Sequence, residues 1–267
     1  MLEPPFYIRE PVTTPIPLIV SVPHCGTEFP PELAENYLPE QTAALDDTDW
    51  FVEKLYDFVP NIGGTLIYAK FSRWVIDLNR EPGGAPLYDD GRLTTAICPT
   101  TDFFGNPIYK GAEFEPDDRE ISRRLESYFA PYHDKINRII KTLKQLRGNV
   151  LFLDGHSIRR NVPTISNRPF PDLILGTNDG KSTTDIFESR TLELLRNTGR
   201  QISLNSPFKG GYLTRSKGNP DSGVSALQLE MSKDIYMKNG ETELCTESAA
   251  NLAADLKTLL VNLIKLL

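Results

Sequence analysis

An α/β fold built on a mostly parallel central sheet is what the sequence predicts, and three observations predict it. Short apolar, β-prone runs alternate with amphipathic helical stretches, the order that lays helices against a parallel sheet. One run, residues 150–153, is apolar at every position, as a strand buried on both faces requires. No internal period or low-complexity tract breaks the alternation. A chain of 267 residues fits one α/β domain, so residues 1–267 are read as a single domain without a linker.

Taken in order, residues 17–22 form the first apolar run, and residues 65–69 and 74–78 form two more. Between them a helix is expected: Asp46, Asp47, Thr48 and Asp49 supply capping and dipole-compatible groups, and Trp50, Phe51, Leu55 and Phe58 make one apolar face. The Pro/Gly-rich passage 81–107 is longer than an ordinary connection and reads as a functional cover over a site. Residues 115–147 keep helical spacing through Ile121, Leu125, Phe129, Tyr132, Ile136, Ile140 and Leu143. After the central run at 150–153, a strand is expected at 172–175 and a helix at 182–197. An alternating strand at 224–231 and a closing helix at 247–267 complete the pattern.

Hydrophobic residues make up 39% of the chain and charged residues 24%, a globular composition that excludes disorder. Lys and Arg number 29 against 36 Asp and Glu, a net charge of −7 that argues against a nucleic-acid partner. A small anionic substrate is compatible with that balance if arginines gather locally. The first residues lack a basic and an apolar leader region, and no stretch approaches the ~18 apolar residues of a membrane span. A soluble, cytoplasmic protein is therefore expected. Cys25, Cys98 and Cys245 are odd in number and irregularly spaced, which indicates neither a disulfide framework nor a zinc knuckle. Cys25 adjoins His24 and so raises a nucleophile reading, but neighbours on a strand point to opposite faces.

Two of the three histidines sit where an apolar run gives way to a polar turn: His24 in Ser21-Val22-Pro23-His24-Cys25-Gly26 and His156 in Leu153-Asp154-Gly155-His156-Ser157. An imidazole at the end of a parallel strand points into the crevice where open α/β sheets bind ligands, and two such ends can meet on one cation. The pattern predicts a divided metal site, set against the plainer reading of each His as a hydrogen-bonded structural residue. His133, within the long helix, reads as a packing residue.

His24-Cys25-Gly26 followed by Pro30, then Asp47-Thr48-Asp49-Trp50, the run from Arg73-Trp74 through Asp77-Leu78-Asn79-Arg80-Glu81, Asp154-Gly155-His156-Ser157, and Leu227-Gln228-Leu229-Glu230-Met231 together resemble the N-formylglutamate amidohydrolase (deformylase) family. The likeness runs in order from about residue 17 to residue 237. It implies a three-layer α/β/α sandwich of the zinc-carboxypeptidase-like (phosphorylase/hydrolase-like) kind, with a metal at the strand ends. It also implies hydrolysis of N-formyl-L-glutamate to glutamate and formate, as in histidine breakdown.

Amide hydrolysis needs an activated water, a polarised carbonyl and a protonated leaving amine, and one Zn²⁺ supplies the first two through three protein ligands. His24 and His156 are the candidate imidazole ligands. By resemblance to relatives that take a ligand from the helix after the first strand, Asp49 is the favoured carboxylate. Asp47 and Glu28 are alternatives, and helix capping is the plainer role for the aspartates. Glu230 shares its face with Gln228, a pattern that a surface strand also explains; the likeness to metallopeptidases makes it the general base. Asp154 is a candidate to orient a ligand from behind. The Asn79-Arg80 step matches a substrate carboxylate, since Arg presents a planar fork and Asn a neutral donor and acceptor. Arg73 is a candidate to polarise the scissile carbonyl and Arg215 to meet a side-chain carboxylate, with Arg159 and Arg160 weaker. Two alternatives stay open: a deacylase or carboxypeptidase-like hydrolase of another acidic N-acyl amino acid, and a binding module that keeps the fold without the chemistry.

Overall fold

The computed structural model describes residues 3–83, 95–238 and 241–267. Its centre is a seven-stranded sheet in the order β1-β3-β2-β4-β7-β5-β6. The strands are β1 (Phe6–Arg9), β2 (Leu18–Val22), β3 (Thr65–Ala69), β4 (Val150–Ile158), β5 (Leu173–Gly176), β6 (Ile202–Leu204) and β7 (Val224–Ser232). The pairs β2/β3, β2/β4, β4/β7 and β5/β6 are parallel, while β1/β3 and β5/β7 are antiparallel, so the sheet is mixed but mostly parallel. The helices are α1 (Pro31–Ala34), α2 (Pro39–Thr42), α3 (Val52–Leu55), α4 (Asp118–Arg124), α5 (Ala130–Arg147), α6 (Asp185–Arg196), α7 (Tyr212–Lys217) and α8 (Thr246–Leu263).

Side-chain parity divides the strands between two cores. Leu18, Val20 and Val22, Leu151 and Leu153, and Leu227, Leu229 and Met231 face one side, where Val52 and Leu55 of α3, Phe187 of α6 and Leu252 of α8 cover them. Ile19, Ile67, Val150, Phe152 and Ala226 face the other and pack with Tyr132, Ile136 and Leu143 of α5. Three layers follow, α/β/α, because each face of a two-sided apolar sheet needs its own cover. The same period of two carries Asp154 and His156 beyond Phe152, and Gln228 and Glu230 beyond Ala226, all on the α5 side. The β4/β7 register sets Asp154 opposite Gln228 and His156 opposite Glu230.

Most sequence-predicted elements form with shifts of a few residues. The expected strand at 74–78 does not. Its backbone is met by side chains and loops: Tyr37 donates its hydroxyl to the Trp74 carbonyl, Arg124 donates to the Val75 carbonyl, and the Asp77 N–H donates to Ile97. The apolar run is buried by packing rather than by pairing, an outcome with the same composition signature as a strand. The helix expected after Asp49 shortens to α3, because Phe51 takes a left-handed φ of 64° and helix geometry begins only at Val52. The long helix at 115–147 is present but interrupted by a π-turn, Leu125–Phe129. Pro131 accounts for the interruption, since it has no N–H for the Ser127 carbonyl and its ring crowds that group. The strands β1 and β6 and the short helices α1, α2 and α7 lie outside the sequence reading.

Candidate metal centre

His24 leaves β2 through Pro23, and its carbonyl accepts the Asp49 N–H at 3.0 Å, which ties the turn before α3 to the end of β2. His156 stands near the end of β4. Gly155 beside it has no Cβ because one would come within 2.8 Å of the Tyr56 ring, so a small residue lets β4 settle on the opposite core while presenting Asp154 and His156 to the site. The imidazole centroids are 4.8 Å apart. Between them stands Asp49, its Oδ2 3.1 Å from His156 Nδ1 and 3.7 Å from His24 Nδ1. All three residues are buried, and their ligand atoms lie within 4.8 Å of one another.

The far nitrogens are held by a second ring of carboxylates. His24 Nε2 is 2.7 Å from Asp77 Oδ1, and His156 Nε2 is 3.1 Å from Asp154 Oδ2. A carboxylate accepts, so each Nε2 carries a proton, and the Nδ1 atoms, both turned toward Asp49, are the nitrogens that would give up theirs to a cation. A tetrahedral cation with bonds of 2.0–2.2 Å wants ligand atoms about 3.4 Å apart. The two Asp49 distances, 3.1 and 3.7 Å, bracket that value.

The charge inventory points the same way. Asp47, Asp49, Asp77, Asp154 and Glu230 are all buried here, and Arg73 is the buried guanidinium among them. Burial opposes ionisation of Asp77, yet Arg73 and His24 hold its carboxyl well below the usual range. Asp49 is likewise held low, against burial, by its hydrogen bond from His156 and the charge of both imidazoles. His24 is pushed down by burial and by Arg73, whereas His156 is raised well above its ordinary value by Asp154 and Asp49 in spite of burial. Carboxylates that favour a proton on an imidazole also favour a divalent cation at that position. The donor set, two imidazoles and a carboxylate with carboxylates behind them, suits zinc.

Glu230 faces His156 across the β4/β7 ladder and is only 9% exposed, which removes the surface-strand explanation. Burial pushes its carboxyl up to about 8. Arg73 Nη2 donates to Asp77 Oδ2 at 2.5 Å, and its guanidinium lies 4.7 Å from the Phe103 ring centroid. Asp47 is an anchor: Oδ2 accepts the Trp74 indole N–H, Oδ1 accepts the Phe103 N–H, and burial pushes its carboxyl up to about 6. Glu28 lies outside the cluster, half-exposed and bonded to the Tyr7 hydroxyl. In the predicted cover, residues 84–94 lie outside the described residues, but Thr95 and Phe103 do reach the site, the former accepting from Arg80 Nη2 at 3.2 Å.

The substrate pair divides. Asn79 commits its amide within the protein: Nδ2 donates to Asp154 Oδ2 at 3.1 Å, the same oxygen that faces His156 Nε2, and Oδ1 accepts the Leu213 N–H at 2.7 Å. Gly211 leaves room for this, as a Cβ there would fall 2.4 Å from the Asn79 amide nitrogen. Asn79 therefore braces Asp154, behind His156. Arg80 is half-buried with Nε 3.7 Å from Asp77 Oδ2, and Arg215 is half-buried with Nε donating to the Gly210 carbonyl at 2.8 Å. Arg159 pairs with Asp46 and Glu241, and Arg160 with Asp172 and Asp234, as structural ion pairs. The Cys25 thiol sits among the Val22 and Ala69 carbonyls, and burial pushes it well up, which removes the nucleophile reading. Two groups escaped the sequence reading. Asp77 passed as the lead-in to Asn-Arg, although an Asp at the end of an apolar run was a visible signal. Lys233, buried with its ammonium on the Asp46 carbonyl, looked like any strand-end lysine.

The fold and this cluster define a class: a three-layer α/β protein with a buried imidazole–carboxylate centre at the ends of its parallel strands. Within that class, the chain belongs to the N-formylglutamate amidohydrolase family, whose pattern matches residues 16–237. It is 37% identical over 227 residues to an N-formylglutamate deformylase of Pseudomonas putida, covering 85% of this chain and 84% of that protein. It is 39% identical over 224 residues to an N-formylglutamate deformylase of Pseudomonas aeruginosa, covering 83% and 82%. The crystal structure of an N-formylglutamate amidohydrolase from Ralstonia eutropha JMP134 superposes with a TM-score of 0.83 at 29% identity, covering 98% of this chain and 97% of that one. A gene product of Agrobacterium tumefaciens shares the fold at TM-score 0.75 and 17% identity, covering 98% and 96%.

Proposed function

We propose that the protein hydrolyses the amide bond of N-formyl-L-glutamate, giving L-glutamate and formate, and that His24, Asp49 and His156 hold one zinc ion for this purpose. The observation that carries the reading is the meeting of those three side chains beside Glu230 in a chain of this family. When bound, such an ion acidifies a water and polarises a carbonyl oxygen. Glu230 takes a proton from the attacking water and returns it to the amide nitrogen as the C–N bond breaks. A carboxyl pushed up to about 8 by burial suits a group that must both accept and donate near neutral pH.

Arg73, fixed by Asp77, places positive charge beside the cluster and stabilises the developing oxyanion. Arg80 takes the α-carboxylate of the substrate and Arg215 the side-chain carboxylate. Asn79 supports His156 and Asp154 from behind. Among the described residues no helix is long and apolar enough to cross a membrane. The reading extends to a cytoplasmic role in histidine breakdown, which the family resemblance supports. The test is formate release from N-formylglutamate before and after dialysis against a chelator, with N-formylglutamine and N-acetylglutamate alongside. Hydrolysis of N-formylglutamate that zinc restores supports the reading. Equal efficiency on N-formylglutamine would replace it with a broader N-acyl amino acid hydrolase.

A further inference from the structure

His133, which plays no part in the chemistry above, is 6% exposed in the first turn of α5. Its Nε2 lies 2.9 Å from the Leu78 carbonyl oxygen, and since a carbonyl only accepts, Nε2 carries the proton. The ring stacks on Phe129 at 4.0 Å between centroids and meets Tyr212 of α7 at 5.5 Å. Burial, with Lys217 nearby, pushes its pKa down to about 3, so the ring is neutral.

Leu78 is the single residue between the two brackets of the metal centre. Asp77 before it orients His24, and Asn79 after it donates to Asp154, the carboxylate that holds His156. This segment is not a strand, so no ladder fixes it. The Tyr212 N–H donates to the Asn79 carbonyl at 3.3 Å, so α7 grips the segment from one side while His133 grips it from α5. We infer that His133 is a positioning residue, whose hydrogen bond to the Leu78 carbonyl sets Asp77 and Asn79, and through them the Nδ1 atoms of His24 and His156. The inference rests on the proposed metal reading and gives α5 a task beyond covering the sheet.

The test measures zinc affinity of the full chain by chelator competition without substrate, together with kcat/KM and Tm, in His133→Leu, His133→Gln and Ile136→Ala. Leu keeps apolar bulk but cannot donate, whereas Gln carries a donor close to the position of Nε2. Ile136→Ala opens a cavity in the same helix with no bond to the segment. Direct partners of metal ligands are typically worth about 10- to 100-fold in affinity, so one step further back His133→Leu is expected to weaken zinc about tenfold. His133→Gln is expected to return to within about threefold of wild type, and Ile136→Ala to lower Tm while leaving zinc affinity unchanged. Wild-type affinity in His133→Leu, no recovery in His133→Gln, or an equal loss in Ile136→Ala overturns the inference. If the wild-type protein takes up no zinc, the metal reading fails separately, and the same three variants then decide positioning by the kcat/KM pattern alone.

Discussion

The proposed metal centre has two halves built in different ways. The strand half consists of Asp154, His156, Gln228 and Glu230, which lie in register on β4 and β7, so main-chain hydrogen bonds fix their spacing. The loop half consists of His24, Asp49, Arg73, Asp77 and Asn79, which stand on turns and are fixed by side chains: His24 by Asp77, Asp77 by Arg73, Asn79 by Leu213, and the Leu78 carbonyl by His133. The strand half is rigid for the price of a ladder the fold forms anyway. The loop half depends on buried polar bonds that must all be made together. Damage to the strand half is therefore expected to alter chemistry with the fold intact, and damage to the loop half to alter metal binding and stability together.

Glu230→Gln gives the largest effect and tests the strand half. General acid–base catalysis contributes about 100- to 10,000-fold, so kcat is expected to fall by that range while zinc content and Tm stay at wild-type values. A variant with intact metal and wild-type turnover removes Glu230 from the mechanism.

Asp77→Ala and Asp154→Ala sharpen the contrast directly, because each removes the partner of one ligand's Nε2. Both are expected to weaken zinc about 10- to 100-fold in chelator competition. Only Asp77→Ala also leaves a buried guanidinium, Arg73, without its partner, a loss of about 3–5 kcal/mol in denaturant unfolding. Equal stability in the two variants breaks the comparison.

Arg80→Ala, at the rim of the loop half, is expected to lower kcat/KM about 10- to 100-fold, from the roughly 1.5–3 kcal/mol of a charge-assisted bond to a carboxylate. Arg80→Lys recovers only part, because an ammonium lacks the fork. Full recovery would show that charge alone suffices there.

The smallest effect is a pH dependence of folding. His133 protonates near 6.5 when unfolded and near 3 in the native state, so between those values the unfolded chain binds more protons and stability falls as pH drops. At pH 5 that amounts to about 2 kcal/mol relative to neutral pH. The slope of unfolding free energy between pH 7 and pH 5 is expected to be shallower in His133→Gln, and an unchanged slope assigns the dependence to other groups.

The same division explains what the sequence could reveal. Strand-borne residues are legible because a period of two and an apolar-to-polar transition are local signals: His156 at the end of its run and Glu230 beside Gln228 both stand on the predicted face. Loop-borne roles depend on contacts that no local pattern encodes. The run at 74–78 was indistinguishable from a strand because composition records burial but not what buries it. Asn79 reads as a carboxylate receptor because the same amide serves a receptor or an internal bracket, and its bonds to Asp154 and to the Leu213 N–H are contacts that no local pattern encodes. Asp49 emerged over Asp47 and Glu28 through family likeness. The geometry separates them physically, since Asp47 spends both oxygens on Trp74 and Phe103 and Glu28 lies at the exposed rim. His133 had no signal beyond its rarity, because its partner is a main-chain carbonyl.

The most direct test of the metal centre is the zinc content of purified protein, measured with formate release on the same samples, for the wild type and for His24→Ala, Asp49→Ala and His156→Ala. One ion per chain in the wild type is expected, with loss of metal and activity together in each variant. Full turnover in chelated, metal-free protein, or full zinc occupancy in both histidine variants, would contradict it.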